Sequence, residues 1–193
     1  MNNYEYIIAS LPLLKKDEGC PDLQSLVERI KRQCGKEDCR KIDFLLSGWE
    51  ENSLTEDFYR SAAASSNAFI RGYFAYDLLV RNTKVEYLNR ELGRPAGQDT
   101  IRFEQDGEFE LAEKAEQALA AGDILSREKA LDDLCWEQAD ELAGMQVFTL
   151  DAILAFVSKL KIVDRWLKLD PETGRELFAR LVSDIRNNKN KIQ

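Results

Sequence analysis

This chain of 193 residues carries 35 acidic and 27 basic side chains but no histidine, so any chemistry must come from carboxylates, amines, guanidinium groups, hydroxyls or thiols. One cation stands out by position. Phe74, Leu78, Arg81, Val85, Leu88 and Leu92 step alternately by four and three residues, the spacing of a helix seam that faces a neighbouring helix. A guanidinium in such a seam needs acceptors, because an unpaired buried charge costs several kcal/mol, roughly. Asp77, one turn earlier, is one acceptor. A second seam, Ile153, Val157, Leu160, Asp164 and Leu167, places a carboxylate among apolar residues in the same way. The two patterns predict that Arg81 and Asp164 meet across packed helices, with Asp77 and Asn82 completing a polar cluster and Arg165 beside it. Such a cluster specifies packing as readily as it binds a ligand.

Other chemistry finds little support. Lack of histidine excludes an imidazole base and the Glu-x-x-His motif of di-iron bundles. No phosphate-cradling glycine loop is present. Carboxylates alternate with Lys and Arg, as on solvated helix faces with i,i+4 pairing. Cys20, Cys34, Cys39 and Cys135 form no C-x-x-C pair, and they read as reduced, small apolar residues, although Cys34 and Cys39 are near enough to approach each other. Neither cofactor nor metal is expected. Tyr59, Phe69, Tyr73, Phe74 and Tyr76 recur at helical spacing and read as core and rim, whereas Trp49, Trp136 and Trp166 are too scattered to form a box.

The elements that must position these groups are helices. Only 10 Gly and 4 Pro punctuate the chain, and 44% of residues are hydrophobic. Residues 4–14 alternate weakly and fit a short extended segment or an irregular first turn. Pro21-Asp22 opens a helix with Leu23, Leu26, Val27 and Ile30 inward, ended by Gly35. A second helix runs from Glu37 to about Leu46. Thr55 is a predicted N-cap, followed by one long central helix over about 55–92, kinked near Gly72. "GRPAGQD" at 93–99 is the clearest break. Helices are expected from about Glu108, over 127–144 with Ser126 as N-cap, over 148–169, and from Pro171 to about Ile185. In the third of these, Phe156 and Val163 join the inward set. The whole predicts an all-α, antiparallel multi-helix bundle, either a single domain or two helical halves, 1–95 and 100–193.

Charge and hydropathy narrow the partners. A net charge of −8 disfavours nucleic acid. The N-terminus lacks a basic region and a cleavage site, and the best apolar run, Met145–Val157, is interrupted by Gln146, Thr149 and Asp151. A cytoplasmic protein with no direct membrane insertion is expected.

"NNYEYIIASLP", "RGYFAYDLLVRNTKVEYLNRELG" and "FTLDAILAFVSKLKIVDRWLKLDPETGRELFARLV" together resemble an uncharacterised bacterial family encoded beside V-type ATP synthase subunits. More distantly, the chain is similar to the funnel-shaped central-stalk component of V/A-type rotary ATPases, the all-α part that sits on the rotating membrane ring and holds the foot of the central shaft. That funnel begins with a Tyr-x-Tyr segment, matched by Tyr4 and Tyr6. It repeats a helix pattern that Asp77, Asn82, Arg90 and Gly93 match with altered spacing; Ile162–Leu167 resembles its last copy, with Asp164 and Arg165 in the charged positions, and Trp166 and Asp170 belong to the family resemblance of the same segment. The resemblance implies an all-α, non-catalytic coupling part that works by shape and polar contacts. Its implied partners are the V/A-type ATPase subunits, notably the central shaft and the membrane ring, which would make the protein peripheral at the inner face of the plasma membrane. This chain is shorter than the funnel it resembles. A stand-alone α-helical adaptor is the alternative expectation, and an enzyme with a carboxylate-lined pocket is a third.

Overall fold

The computed structural model describes residues 4–15, 22–102, 109–120 and 122–169. Among them are eight helices and no strand: α1 (Tyr4–Ala9), α2 (Leu23–Lys31), α3 (Lys36–Ser47), α4 (Glu56–Ala63), α5 (Ala68–Glu91), α6 (Phe109–Leu119), α7 (Ile124–Ala143) and α8 (Leu150–Leu167). The protein is all-α. The helix expected after Pro171 and Asp170 itself lie outside the described residues.

Short polar side chains start most of these helices. Asp22 accepts from the backbone N–H groups of Gln24 and Ser25, Thr55 from Phe58, Asn67 from Ile70, Asp123 from Ser126, and Thr149 from Ala152. Three expectations are corrected here. Asp123, not Ser126, caps α7, since its carboxylate reaches the Ser126 N–H and hydroxyl. The helix expected over 55–92 is two helices, broken at Ala64–Asn67, where the Asn67 side chain caps a new start. α5 runs as one unbroken helix through Gly72. A Cβ there would lie 2.5 Å from Leu142 Cδ2, so Gly72 lets α7 approach closely. The N-terminal segment, expected as extended or irregular, is helical at Tyr4–Ala9.

Contacts along α7 give the packing order. Gly72 meets Leu142 near one end and Lys84 meets Glu128 near the other, so α5 runs antiparallel to α7. Asp140 pairs with Lys159 and Asp132 with Arg165, so α8 is also antiparallel to α7. α7 therefore lies between the second half of α5 and the later turns of α8, while at the start of α5 Asn67 Nδ2 donates directly to Asp151 Oδ1 of α8 at 2.7 Å. On its other sides α8 packs against α1, α2 and α3, which buries Ile153, Leu154, Ala155, Val157, Ser158, Leu160, Ile162 and Val163.

The main core takes Ile7, Leu26, Ile30, Ile42 and Leu45 from the first helices and Ile153, Leu154, Val157 and Leu160 from α8. Described helices from both sides of the 93–99 break thus contribute to one core. Phe44, Phe58, Phe74, Tyr73 and Phe69 form a continuous aromatic chain within it, with neighbouring centroids 4.8–5.7 Å apart. Gly48 is required by this chain: a Cβ at Gly48 would sit 2.5 Å from the Phe74 ring. A smaller core joins Ala115, Leu119 and Leu131 with Val80 and Tyr87. The inward face of the second half of α5 is accordingly Val80 and Tyr87, not Leu88 and Leu92, which are exposed.

Candidate functional site: a polar seam through four helices

The first part of the site lies between α4 and α5. Tyr59 Oη donates to Asp77 Oδ2 at 2.7 Å. Burial pushes the Asp77 carboxyl above its ordinary range, against the lowering effects of the Tyr59 hydroxyl and the Arg81 charge. The Tyr59 hydroxyl is pushed upward as well, by burial and then by the Asp77 charge. Tyr73, on the preceding turn of α5, is wholly enclosed and strongly raised by burial, with Cys135, Asp77 and Asp132 among its electrostatic neighbours. Burial, followed by the Asp77 and Asp132 charges, pushes the Cys135 thiol up to about 12, so it is not a thiolate nucleophile at neutral pH. Ser158 is fully buried beside Tyr73, and its hydroxyl makes no hydrogen bond of standard geometry.

The seam continues through α7 into α8. Arg165 donates to Asp132 Oδ2 at 2.5 Å, and Trp166 Nε1 donates to the same oxygen at 2.7 Å. Arg165 also lies 3.7 Å from Glu128, which Lys84 of α5 reaches from the other side. Glu128 and Asp132 therefore link α5 to α8 through α7. Burial raises the Asp132 carboxyl despite the opposing Arg165 charge and Trp166 donor. Beside Asp132 and Trp166 opens a groove of about 270 Å³ whose apolar lining is Leu125, Ile162 and Val163.

The expected Arg81–Asp164 pair does not form. At their level α7 lies between α5 and α8, and Asp164 pairs with Lys168 along α8 at 2.7 Å. Arg81 remains near Asp77 and Tyr59, as expected of its helix turn, and Nη1 lies 3.4 Å from both Asn82 Oδ1 and the Asp99 carbonyl. Asn82 has a different task. Its Nδ2 donates to the Ile101 carbonyl at 2.7 Å and its Oδ1 accepts from the Ile101 N–H at 3.1 Å. Glu86 accepts from the Gly97 N–H, and buried Asn89 donates to the Gln98 carbonyl at 2.8 Å. These three side chains fold the 93–102 loop back along α5.

The remaining candidates serve separate joints. Gly93, at φ +64°, adopts the left-handed conformation that ends α5. Arg90 reaches Glu116 of α6 through both terminal nitrogens at 3.2 Å. Tyr4 donates to buried Asp38 of α3 at 2.8 Å, while Tyr6 is exposed. Arg165 and Trp166 thus belong to the seam, whereas Asp164, Arg90, Tyr4 and Tyr6 do not. Glu128 and Asp132 were absent from the sequence expectation. Their signal was the stripe Glu128, Asp132, Cys135, Ala139 and Leu142, with the same alternation of four and three as the other two seams.

Among the described residues, no group of three or more Cys, Asp or Glu side chains is arranged to hold a metal ion. Half-buried Asp77 and buried Asp132 already accept from named donors, so the seam acts as a set of fixed ties between helices. The fold and seam define an all-α bundle whose polar interior joins helices together. Residues 48–189 match the family described as "Protein of unknown function (DUF2764)", and the chain belongs to that family. The matched span contains every residue of the seam. Neither the curated proteins nor the solved structures contain a match to this chain.

Proposed function

We propose that this protein is a non-catalytic component or assembly factor of a V/A-type rotary ATPase, in its sharpest form a shortened funnel-like coupler between the central shaft and the membrane ring. The observation that carries a binding role is the apolar surface left open at both ends of the α7–α8 hairpin. At its turn, Met145 is 99% exposed, Val147 58% and Phe148 55%. At its open end, Ile124, Leu125, Leu167 and Leu169 are each more than half exposed. Neighbouring large apolar side chains in solvent mark a protein interface more often than an isolated one does. The ATPase is named on the resemblance of the three sequence segments, and the all-α bundle is compatible with it. No helix among the described residues is long and apolar enough to cross a membrane, so membrane proximity, on this reading, comes through the ATPase at the inner face of the plasma membrane.

The adaptor reading draws on the same exposed surface and differs in stoichiometry and permanence. A Met145→Ser/Phe148→Ser double variant tests the surface. Both side chains are exposed, so its unfolding free energy should stay within about 1 kcal/mol of the parent. Its retention on solubilised membranes carrying the ATPase should fall. Unchanged retention of a folded double variant would remove the hairpin turn from the interface.

A further inference from the structure

The turn between α2 and α3 carries two cysteines in positions that helix geometry brings together. Gly35 is the N-cap of α3, with extended backbone, and the Cys39 N–H donates to the Gly35 carbonyl at 2.9 Å. Cys34 is therefore the residue before the cap and Cys39 the fourth residue of the helix. These are the two positions whose side chains pack against each other in a hydrophobic staple. Here the staple consists of two thiols. Cys39 Sγ lies 3.9 Å from the Cys34 carbonyl oxygen and 3.3 Å from the Lys31 carbonyl. Both cysteines are partly exposed and reduced. An aliphatic pair would serve a staple equally well, and only a thiol pair adds redox chemistry.

We propose that Cys34 and Cys39 are a reversible disulfide site, closed by exchange with a small-molecule disulfide such as oxidised glutathione. One cysteine thiolate attacks the small disulfide, forming a mixed disulfide and expelling one glutathione thiolate. The second cysteine gives its proton to solvent and attacks the protein sulfur of that mixed disulfide. The Cys34–Cys39 bond forms and the second glutathione thiolate leaves. Two electrons pass from the cysteine pair to the small disulfide, which ends as two thiols. Burial, followed by the Cys39 and Asp38 charges, holds the Cys34 thiol up at about 11, so attack by Cys34 quickens as pH rises. The closed bond ties the end of α2 to the first turn of α3, beside Asp38, which receives the Tyr4 hydroxyl of α1.

The test uses the whole protein in glutathione buffers of graded oxidised-to-reduced ratio, followed by alkylation, intact mass and peptide mapping. The expected result is a two-hydrogen mass loss mapped to Cys34–Cys39. The mixed disulfide should stay below about a tenth of the oxidised protein, because the neighbouring thiol displaces glutathione at high effective concentration. Cys34→Ser should abolish the bond and let the glutathione adduct accumulate on Cys39. Hydrogen exchange should slow in the first turn of α3 on oxidation and recover on reduction. Stable glutathione adducts in the native chain, linkage of either cysteine to Cys20 or Cys135, or a pair that closes only in denaturant would each overturn the proposal.

Discussion

Replacing Arg165 by methionine keeps a long apolar stem but removes the charge that faces Asp132. The Asp132 side chain is only 11% exposed, and it would retain the Trp166 donor alone. Breaking a fully buried ion pair costs about 3–5 kcal/mol. The Arg165 side chain is 39% exposed, so water screens part of the interaction, and the expected loss is about 2 kcal/mol. For a chain of this size that lowers Tm by about 4–8 °C. The pH dependence separates this account from a simple packing loss. Burial raises the folded Asp132 carboxyl above its ordinary value of 3.8, and removing Arg165 raises it further. A carboxyl with a raised folded value binds more protons folded than unfolded, so its penalty is absent below the unfolded value and grows as pH rises through the folded one. The cost of Arg165→Met should therefore be largest at neutral pH and shrink toward acid. Urea unfolding of parent and variant at several pH values reads this difference. Adding Asp132→Asn to the variant should recover most of the loss at neutral pH, giving a coupling energy of at least about 1 kcal/mol. A variant as stable as the parent at neutral pH, or one whose deficit does not change with pH, would refute the reasoning.

Gly48→Ala should destabilise by about 1–3 kcal/mol in the same unfolding assay, because Phe74 is wedged between other rings and cannot yield. Gly72→Ala should be much milder, since the Leu142 methyl can turn aside and alanine gains about 1 kcal/mol of helix propensity. Asn82→Ala removes both links to Ile101 and should cost about 1–2 kcal/mol, with faster hydrogen exchange at the Ile101 amide. An unaltered exchange rate there would mean that the 93–102 loop is held by Glu86 and Asn89 alone.

Helix content and many boundaries were legible in the sequence because capping chemistry is local. Thr55 and Asp22 announce helix starts from within a few residues. The break at Ala64–Asn67 was less legible, since alanine and serine do not interrupt a helical pattern and only the Asn67 cap reveals the restart. The seam was half legible. Arg81 near Asp77 follows from helical spacing, as does its need for carboxylate partners, whereas on α8 the same spacing singles out Asp164 and the seam uses its neighbour Arg165. Which helix supplies those carboxylates is a matter of packing order, and no residue of α5 or α8 encodes that α7 lies between them. Asn82 shows a similar limit. A partly buried amide is expected to find partners, but the choice of Ile101 depends on the loop folding back.

The most direct test of the central claim is affinity isolation of the tagged full chain from gently solubilised native membranes, with the stoichiometry of the recovered proteins measured by quantitative mass spectrometry. The expected result is recovery of the catalytic hexamer together with the membrane ring, in a constant ratio to the tagged chain across preparations. Recovery of the chain without any part of the ATPase would contradict it.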